Sequence, residues 1–319
     1  MTNQPTSGQH PYTFAYRDDL RTVPSAARSS EENLHGSFAV DKREGFGQLY
    51  YGMPGQGILR VDDDLSAQEL IRLPSDLTPL NFHSTELGSF DGNWRLFLSA
   101  EGNEMVAVVT LEGELDFILP RPEFEVYRDE ETPYKPTDTV LVDDTLYIAD
   151  GYGSNYVSAV ELGTKRWTGI FGGPTEDPAE DGKFATAHGV NVPPTSADRL
   201  IIADRPSSRL QQHGLDGTFL ASHKLPQGAW PCGIDYINFE DRWLGVIGSL
   251  VDPQEGRPAP IYIVDGMTYE VLSTIRPKEE LGIEPVQHLH NVVWHVFNNQ
   301  LFLVCQAWNP GYYFVLAQV

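Results

Sequence analysis

The sequence predicts an all-β fold, and within that class a six-bladed β-propeller. Similar units recur with a mean spacing of about 51 residues between His35 and His290, a period typical of propeller repeats. The units contain short apolar strands and turns such as Glu112-Gly113 and Asp216-Gly217, whereas helical periodicity is nearly absent. A plain β-sandwich is the weaker alternative because it does not explain a fixed repeat.

Each of the six units has an opening segment, an apolar strand, a turn and one or two further strands. With 319 residues, of which 40% are hydrophobic, one closed all-β domain can bury a sizeable core. The 29 glycines and 23 prolines suit a fold with many turns. The first apolar strands of units one to six are Leu49–Gly52, Leu96–Ser99, Leu146–Asp150, Arg199–Asp204, Trp243–Ile247 and Gln300–Val304.

The two ends of the chain are expected to close the ring together. Residues 1–30 are mostly polar, but Tyr12–Tyr16 alternates like a strand. The sixth unit ends after two strands, at Phe314–Val319, so the N-terminal segment can supply its outermost strand and hide an exposed edge. The predicted organisation is an N-terminal extension with a closing strand, 1–30, followed by a single six-bladed propeller, 31–319.

The charge balance disfavours several classes of partner. The chain has 45 acidic and 22 basic residues, a net charge of -23 and a pI near 4.6. Phosphate binding needs basic patches, so neither nucleic acid nor an anionic membrane is expected as a partner. The N-terminus lacks the features of a signal peptide, so a cytoplasmic protein is expected. The expected partner is a small-molecule substrate. Cys232 and Cys305 lie in apolar contexts and are expected to be reduced core residues.

Four histidines occupy equivalent places in the repeat. His35, His83, His188 and His290 precede the leucine of the following apolar strand by 14, 13, 12 and 11 residues. Equivalent places in a circular repeat become equivalent places in space, so these side chains are expected to converge on one axis. His288 is a weaker candidate than His290 because its spacing fits the series less well. The remaining histidines, which lack this placement, are expected to be solvent-facing or structural: His10, His213, His223 and His295.

Two motifs carry a resemblance to a known family. They are Ile148–Asn155, which contains Asp-Gly-Tyr, and the segment from His188-Gly189-Val190 to Ala203-Asp204-Arg205. Together they resemble NHL-repeat propellers and, more narrowly, the peptidylglycine α-hydroxyglycine α-amidating lyase family. The strongest match covers about 145–225, and the six-unit layout extends it over most of the chain.

The resemblance implies a zinc ion on the propeller axis, held by three histidines from alternate blades. The matching positions are His83, His188 and His290. The active-site tyrosine of the family matches Tyr152, and the arginine of its Ala-Asp-Arg segment matches Arg205. The reaction of the family cleaves a carbinolamide N–C bond and gives an amide and an aldehyde.

The chain departs from the family pattern at two places. The family has a carboxylate-binding arginine near the start of blade one, where this chain has His35, with Arg43 nearby. A structural calcium in the family uses an aspartate directly after the third histidine. Here that residue is Asn291, a weaker ligand, so the calcium is left open.

The residue chemistry fits a catalytic metal site. Three neutral imidazoles with one open position are typical of catalytic zinc. His35 has three interpretations: a fourth ligand, which would favour iron or another divalent metal, an active-site acid or base, or a structural residue. Tyr152 is a candidate general base if zinc and Arg205 lower its pKa, although Asp150-Gly151-Tyr152 also reads as a turn. Arg205 either binds a carboxylate or oxyanion or forms a salt bridge between blades.

Three functions are compatible with this reading. The first is a zinc-type metal-dependent lyase acting on a small α-hydroxy or carbinolamide-like substrate. The second is a metal-dependent hydrolase, such as a lactonase or esterase, although such propellers usually hold calcium with Asp, Glu and Asn. The third is a non-catalytic NHL binding scaffold, which the acidic charge argues against because RNA-binding members tend to present a basic face.

Overall fold

The structure is a computed structural model that describes residues 4–319. In that range the chain forms 25 strands and four short 3-10 helices. The strands are β1 (Thr6–Gln9), β2 (Tyr12–Tyr16), β3 (Phe38–Val40), β4 (Leu49–Met53), β5 (Gly57–Val61), β6 (Gln68–Ile71), β7 (Ser84–Phe90), β8 (Asn93–Ala100), β9 (Met105–Thr110), β10 (Leu115–Leu119), β11 (Asp138–Val142), β12 (Thr145–Ala149), β13 (Tyr156–Glu161), β14 (Arg166–Gly172), β15 (Ala187–Asn191), β16 (Arg199–Asp204), β17 (Arg209–Gly214), β18 (Phe219–Lys224), β19 (Asp235–Phe239), β20 (Arg242–Gly248), β21 (Ile261–Asp265), β22 (Val271–Ile275), β23 (His288–Phe297), β24 (Gln300–Trp308) and β25 (Tyr312–Gln318). The 3-10 helices are Asp18–Leu20, Arg28–Asn33, Glu101–Asn103 and Glu125–Tyr127.

The strands form six antiparallel sheets, which are the blades of a propeller. Blades one to five are β3–β6, β7–β10, β11–β14, β15–β18 and β19–β22, and blade six contains β23, β24 and β25 together with β2 and β1. The innermost strands pack side by side around the axis, β23 on β3, β3 on β7, β7 on β11 and β11 on β15. The predicted six-bladed propeller is therefore confirmed. The sequence indicated an innermost strand in unit four, at Ala187–Val192, but gave no strand bounds for the opening segments of most other units, which are mixed in polarity.

The predicted ring closure is also confirmed. β2 pairs with β25 through Phe14↔Gln318, Ala15↔Ala317 and Tyr16↔Leu316, so the N-terminal segment is the fourth strand of blade six. β1, which the sequence did not predict, adds a fifth strand, and the Gln9 backbone N–H donates to Ser273 Oγ in blade five at 2.8 Å. Residues 1–3 of the predicted extension lie outside the described residues, and the division at residue 30 stays a prediction.

The core consists of six apolar clusters, one between each pair of neighbouring blades. In β20, Val246 packs in the cluster between blades five and six, and the next residue, Ile247, packs in the cluster between blades four and five. Successive side chains of a strand point to opposite faces, and both faces of a blade are covered by its neighbours. This explains why the central strands read as nearly continuous apolar runs rather than as alternating ones.

Two further features concern the described residues. Cys232 and Cys305 are both free and buried. No helix within residues 4–319 has the length and apolar character needed to cross a bilayer.

Candidate metal centre on the propeller axis

The residues at the start of the innermost strands face the axis. β-Bulges interrupt the pairing of β15 between Ala187 and Gly189 and that of β23 between Leu289 and Asn291. The bulged residues are therefore His188 and His290, and a bulge re-aims the side chain of the extra residue. His83 directly precedes β7, and its backbone N–H donates to the carbonyl of Ser99, the residue that also pairs with Ser84. His83 and Ser84 therefore lie opposite one partner residue, as at a bulge.

Three of the four predicted histidines are anchored in the same way. Each uses Nδ1 to contact a backbone carbonyl oxygen of the next blade at 2.6 Å. The pairs are His83 with Thr137, His188 with Cys232, and His290 with Gly36. A carbonyl oxygen only accepts hydrogen bonds, so each Nδ1 carries the proton. Each ring therefore presents the lone pair of Nε2 to the axis.

Burial keeps these three imidazoles neutral. Their side chains are 1–3% exposed, and removal from water lowers the pKa of each well below its usual value. The positive charge of Arg205 acts in the same direction on all three. Neutral imidazole is the form that binds a metal ion, so no proton has to be displaced.

The lone pairs converge. The Nε2 atoms of His83 and His290 lie 3.0 Å apart, and the ring centroids of His83, His188 and His290 lie 4.6–5.1 Å from one another. Two nitrogens bound to one tetrahedral zinc ion, each at 2.0–2.1 Å, would be roughly 3.4 Å apart. With both Nδ1 protons directed at carbonyls, no hydrogen bond can form between the two Nε2 atoms. This donor arrangement fits a shared cation.

His35 joins the cluster from a loop rather than from a strand. One ring nitrogen from each of His35, His83 and His290 lies within 4.8 Å of the other two, whereas His188 is not part of this closest group. The His188 Nε2 lies instead 3.2 Å from the Tyr152 hydroxyl. Burial, aided by the charge of Arg205, lowers the pKa of His35 to about 4.

Tyr152 is held in the site by the turn between β12 and β13. The carboxylate of Asp150 accepts hydrogen bonds from the backbone amides of Lys135 and Ser154 and from the Tyr127 hydroxyl, at 2.5–2.7 Å. A Cβ at Gly151 would lie 2.3 Å from the Ala187 carbonyl oxygen, so only glycine lets the turn approach blade four this closely. The expected capping role of Asp150 is therefore present, and it positions Tyr152 over the histidines.

The pKa of Tyr152 differs from the expectation. Burial raises it above its usual value, and the nearby charge of Arg205 offsets that effect only in part. Without a metal ion the hydroxyl therefore keeps its proton at neutral pH. It accepts a hydrogen bond from Arg205 Nη1 at 2.8 Å and can donate to His188 Nε2.

Arg205 is a buried cation with no carboxylate partner among residues 4–319. It is 3% exposed, and its guanidinium donates to Tyr152 and, through Nη2, to Cys232 Sγ at 3.2 Å. It makes none of the salt bridges found in the described range, so the alternative of a salt bridge between blades is wrong. A buried charge without a counter-ion is costly, and an anionic ligand would relieve that cost.

Several site residues were not predicted. Trp308 is the last residue of β24, and its ring lies 5.3 Å from that of His35. The anchoring carbonyls of Gly36, Thr137 and Cys232 left no sequence signal because any residue supplies a carbonyl. Cys232 was expected in the core, and its contact with Arg205 depends on how blades four and five pack.

The remaining candidates lie elsewhere. The His288 ring bonds to the Leu250 carbonyl at 3.0 Å, so His290 was the better choice. His213 and His295 are buried against backbone carbonyls and are structural, as expected. Arg43 binds Asp41 at 2.8 Å, and Asn291 Oδ1 accepts the backbone N–H of Phe38 at 3.2 Å.

Beyond the histidines, the axial channel widens into a cavity of about 470 Å³ that contains the carboxylates of Glu86, Asp138 and Asp235. Asp235 pairs with Lys42 at 2.5 Å, and Asp138 accepts the backbone N–H of Val190 at 2.9 Å. Burial raises the pKa of Glu86 to about 8 and that of Asp138 to about 7. Both side chains keep some exposure because they line the channel.

No protein-family model matches the chain. Among solved structures, a gluconolactonase from Xanthomonas campestris is similar at a TM-score of 0.61 and 12% identity, over 99% of this chain and 95% of that one. A luciferin-regenerating enzyme gives a TM-score of 0.59 and 11% identity, over 92% and 94%. The β-propeller domain of Cps50 (Swd1) from Myceliophteria thermophila gives 0.55 and 10%, over 89% and 82%. At these identities the likeness shows the propeller fold.

Proposed function

We propose that the protein is a metal-dependent lyase that cleaves a small α-hydroxy or carbinolamide-like substrate at the propeller axis. The observation that carries the proposal is the pair of unprotonated Nε2 atoms of His83 and His290, 3.0 Å apart, with His188 beside them. Three imidazoles from alternate blades match the ligand set implied by the resemblance to the amidating lyase family. An all-nitrogen set suits zinc or iron better than calcium, which prefers oxygen ligands.

Arg205 supports an anionic substrate. Its guanidinium is buried, has no carboxylate partner in the described range and adjoins the histidine cluster through Tyr152. A planar guanidinium binds a carboxylate with two parallel hydrogen bonds, which also fixes the orientation of the substrate. A carboxylate next to the carbinol carbon, as in an α-hydroxyglycine derivative, places the scissile bond near the imidazoles.

Tyr152 is the residue that moves the proton. In the lyase reaction the carbinol O–H proton passes to the departing nitrogen, the C–N bond breaks and the carbinol carbon becomes an aldehyde carbonyl. The Tyr152 hydroxyl already accepts a hydrogen bond from Arg205, which stabilises its ionised form. A divalent ion held by the histidines would act as a Lewis acid toward the substrate oxygen.

A metal-dependent hydrolase is the second candidate. It is supported by the fold likeness to the Xanthomonas campestris gluconolactonase, which extends over nearly the whole chain. The ligand chemistry argues against it, because the converging donors here are imidazoles rather than carboxylates. Asn291 is in addition engaged with the Phe38 backbone, which argues against a structural calcium there.

Two measurements test the proposal. Elemental analysis of protein purified without added metal is expected to find about one zinc or iron per chain. Incubation with an N-acyl-α-hydroxyglycine, a ureidoglycolate and a set of lactones is expected to release aldehyde from one of the first two. Calcium as the bound metal, with lactone hydrolysis and no aldehyde, would replace the lyase with the hydrolase. Absence of any stoichiometric metal would reject both.

A further inference from the structure

We propose that His35 is an exchangeable fourth imidazole ligand, which caps the metal ion in the resting protein and leaves when the substrate binds. This inference rests on the proposed function, because it needs an ion at His83, His188 and His290. It adds a form of regulation to the same site. The substrate opens the fourth coordination position by displacing His35, so water does not occupy that position in the resting protein.

The position of His35 allows it to reach the ion. Its ring centroid lies 4.6 Å from that of His83 and 4.5 Å from that of His290, as close as these two rings are to each other. One of its ring nitrogens lies within 4.8 Å of a ring nitrogen of His83 and of one of His290. A ring at this distance can supply a fourth nitrogen without movement of the propeller.

His35 differs from the other three histidines in how it is fixed. His83, His188 and His290 each bond through Nδ1 to a carbonyl at 2.6 Å, which fixes both the tautomer and the direction of Nε2. The His35 ring has no such anchor within residues 4–319. Its one hydrogen-bond contact there is a long one, 3.4 Å from Nε2 to the Tyr152 hydroxyl.

The His35 ring is held instead by two aromatic neighbours. It lies between Trp308, at 5.3 Å, and Tyr152, at 5.9 Å and nearly parallel. Stacking of this kind permits small shifts that a carbonyl anchor would not. His35 belongs to the segment between the 3-10 helix Arg28–Asn33 and β3, and it is partly exposed, whereas the three anchored histidines are buried. His35 is therefore the ligand candidate that a substrate can displace from solvent without first moving one of the three anchored rings.

Cobalt(II) substitution tests the inference without an activity assay. His35→Phe keeps an aromatic ring between Trp308 and Tyr152 but removes both nitrogens, and His288→Phe is the matched control near the same tryptophan. The wild type and His288→Phe are expected to share one visible cobalt spectrum. His35→Phe is expected to change it and to bind azide at least about tenfold more tightly, because a competent state populated at 10% or less weakens apparent affinity by that factor. In a His35→Ala variant, added imidazole is expected to restore the wild-type spectrum.

The outcomes separate the two proposals. If His35→Phe binds one cobalt with the wild-type spectrum and the wild-type azide affinity, His35 is not a ligand and the three-histidine site stands. If the wild type binds no stoichiometric cobalt, both the site and the exchangeable ligand fall. Matching thermal unfolding midpoints for the two phenylalanine variants guard against a folding defect, and if His35→Phe does not fold, the imidazole response of His35→Ala decides.

Discussion

The axial channel has two levels with opposite chemistry, one lined by imidazoles and the other by carboxylates. The three anchored imidazoles lie at or just before the start of β7, β15 and β23, whereas the carboxylates lie near the start of β7, β11 and β19. The imidazoles converge until two ring nitrogens are 3.0 Å apart, whereas the carboxylates of Glu86, Asp138 and Asp235 form no group close enough to share an ion. Asp235 is paired with Lys42 instead. The difference teaches that repeat-equivalent placement is not enough: bulges and inter-blade carbonyl anchors make the side chains meet.

The two levels also respond to burial in opposite directions. Loss of hydration disfavours the charged form of any group, so it lowers the pKa of His35 to about 4 and raises that of Glu86 to about 8. At neutral pH the imidazole level is neutral. The carboxylate level holds Glu86 mostly protonated, so it presents fewer charges than its composition suggests.

The largest expected effect comes from breaking the imidazole level itself. His188→Ala removes one of the three anchored rings, and metal affinity should fall by more than the roughly 10–100-fold that follows from losing a ligand's hydrogen-bond partner. Competition with a chromophoric chelator measures the affinity. His288→Ala removes a ring that is bonded to the Leu250 carbonyl, and this control should bind the metal with the wild-type affinity. Unchanged affinity in His188→Ala would mean that His35, His83 and His290 suffice.

The next effect concerns the cation beside the imidazole level. Arg205→Met should remove about 2–5 kcal/mol of transition-state stabilisation for a carboxylate-bearing substrate, because a desolvated charge pair is lost. The value of kcat/KM should therefore fall roughly 30- to 4,000-fold. Arg205→Lys should recover only part, since lysine lacks the planar fork. Arg199→Met is the control, at a half-exposed arginine that begins β16, the strand directly before Arg205. Equal losses for a carboxylate substrate and for its carboxamide would contradict carboxylate binding.

A smaller effect should follow from disturbing an anchor rather than a ligand. A Cβ at Gly189 would lie 2.6 Å from the Cys232 carbonyl oxygen that accepts the His188 Nδ1 proton. Gly189→Ala should therefore move that carbonyl and weaken metal binding by about 10–100-fold. Gly102→Ala, where the added Cβ meets nothing within 4 Å, is the matched control. Metal affinities that agree between these two variants would show that the anchor is dispensable.

The smallest effect concerns the carboxylate level and appears in stability. Glu86 has a pKa of about 8 in the folded protein against 4.5 when exposed, so folding binds a proton between these values. Its contribution to stability is present below pH 4.5 and is lost as the pH rises through 8, by at most about 1.4 kcal/mol per pH unit. Glu86→Gln should flatten that decline, whereas Glu114→Gln, at an exposed glutamate, should not. The free energy of unfolding, measured in urea from pH 5 to 9, gives the slope of this decline in each variant.

His35 sets the opposite trend on the acid side. Its pKa is about 4 in the folded protein against 6.5 when exposed, so the unfolded chain binds the extra proton. Stability of the metal-free protein should therefore fall as the pH drops from 6.5 to 4, and this fall should be smaller in His35→Phe. The same unfolding series over pH 4–7 checks it, and identical slopes for wild type and variant would contradict the shifted pKa.

The number of blades, the closing strand and the histidines that face the axis could all be predicted from the amino-acid sequence. These features depend on local patterns: a fixed period, alternation in Tyr12–Tyr16 and the similar placement of four histidines in their repeats, His35, His83, His188 and His290. Each pattern lies within one repeat or one strand, so it indicates the same local structure before any contact between blades is known.

The groups that complete the site depend on contacts between blades and could not be predicted from the sequence. Gly36, Thr137 and Cys232 contribute backbone carbonyls, which carry no side-chain signal, and Trp308 reaches His35 across the junction where the ring closes. That Arg205 contacts Tyr152 rather than a carboxylate likewise depends on how neighbouring blades pack. Distances between blades result from core packing summed around the ring, and no spacing within one repeat encodes them.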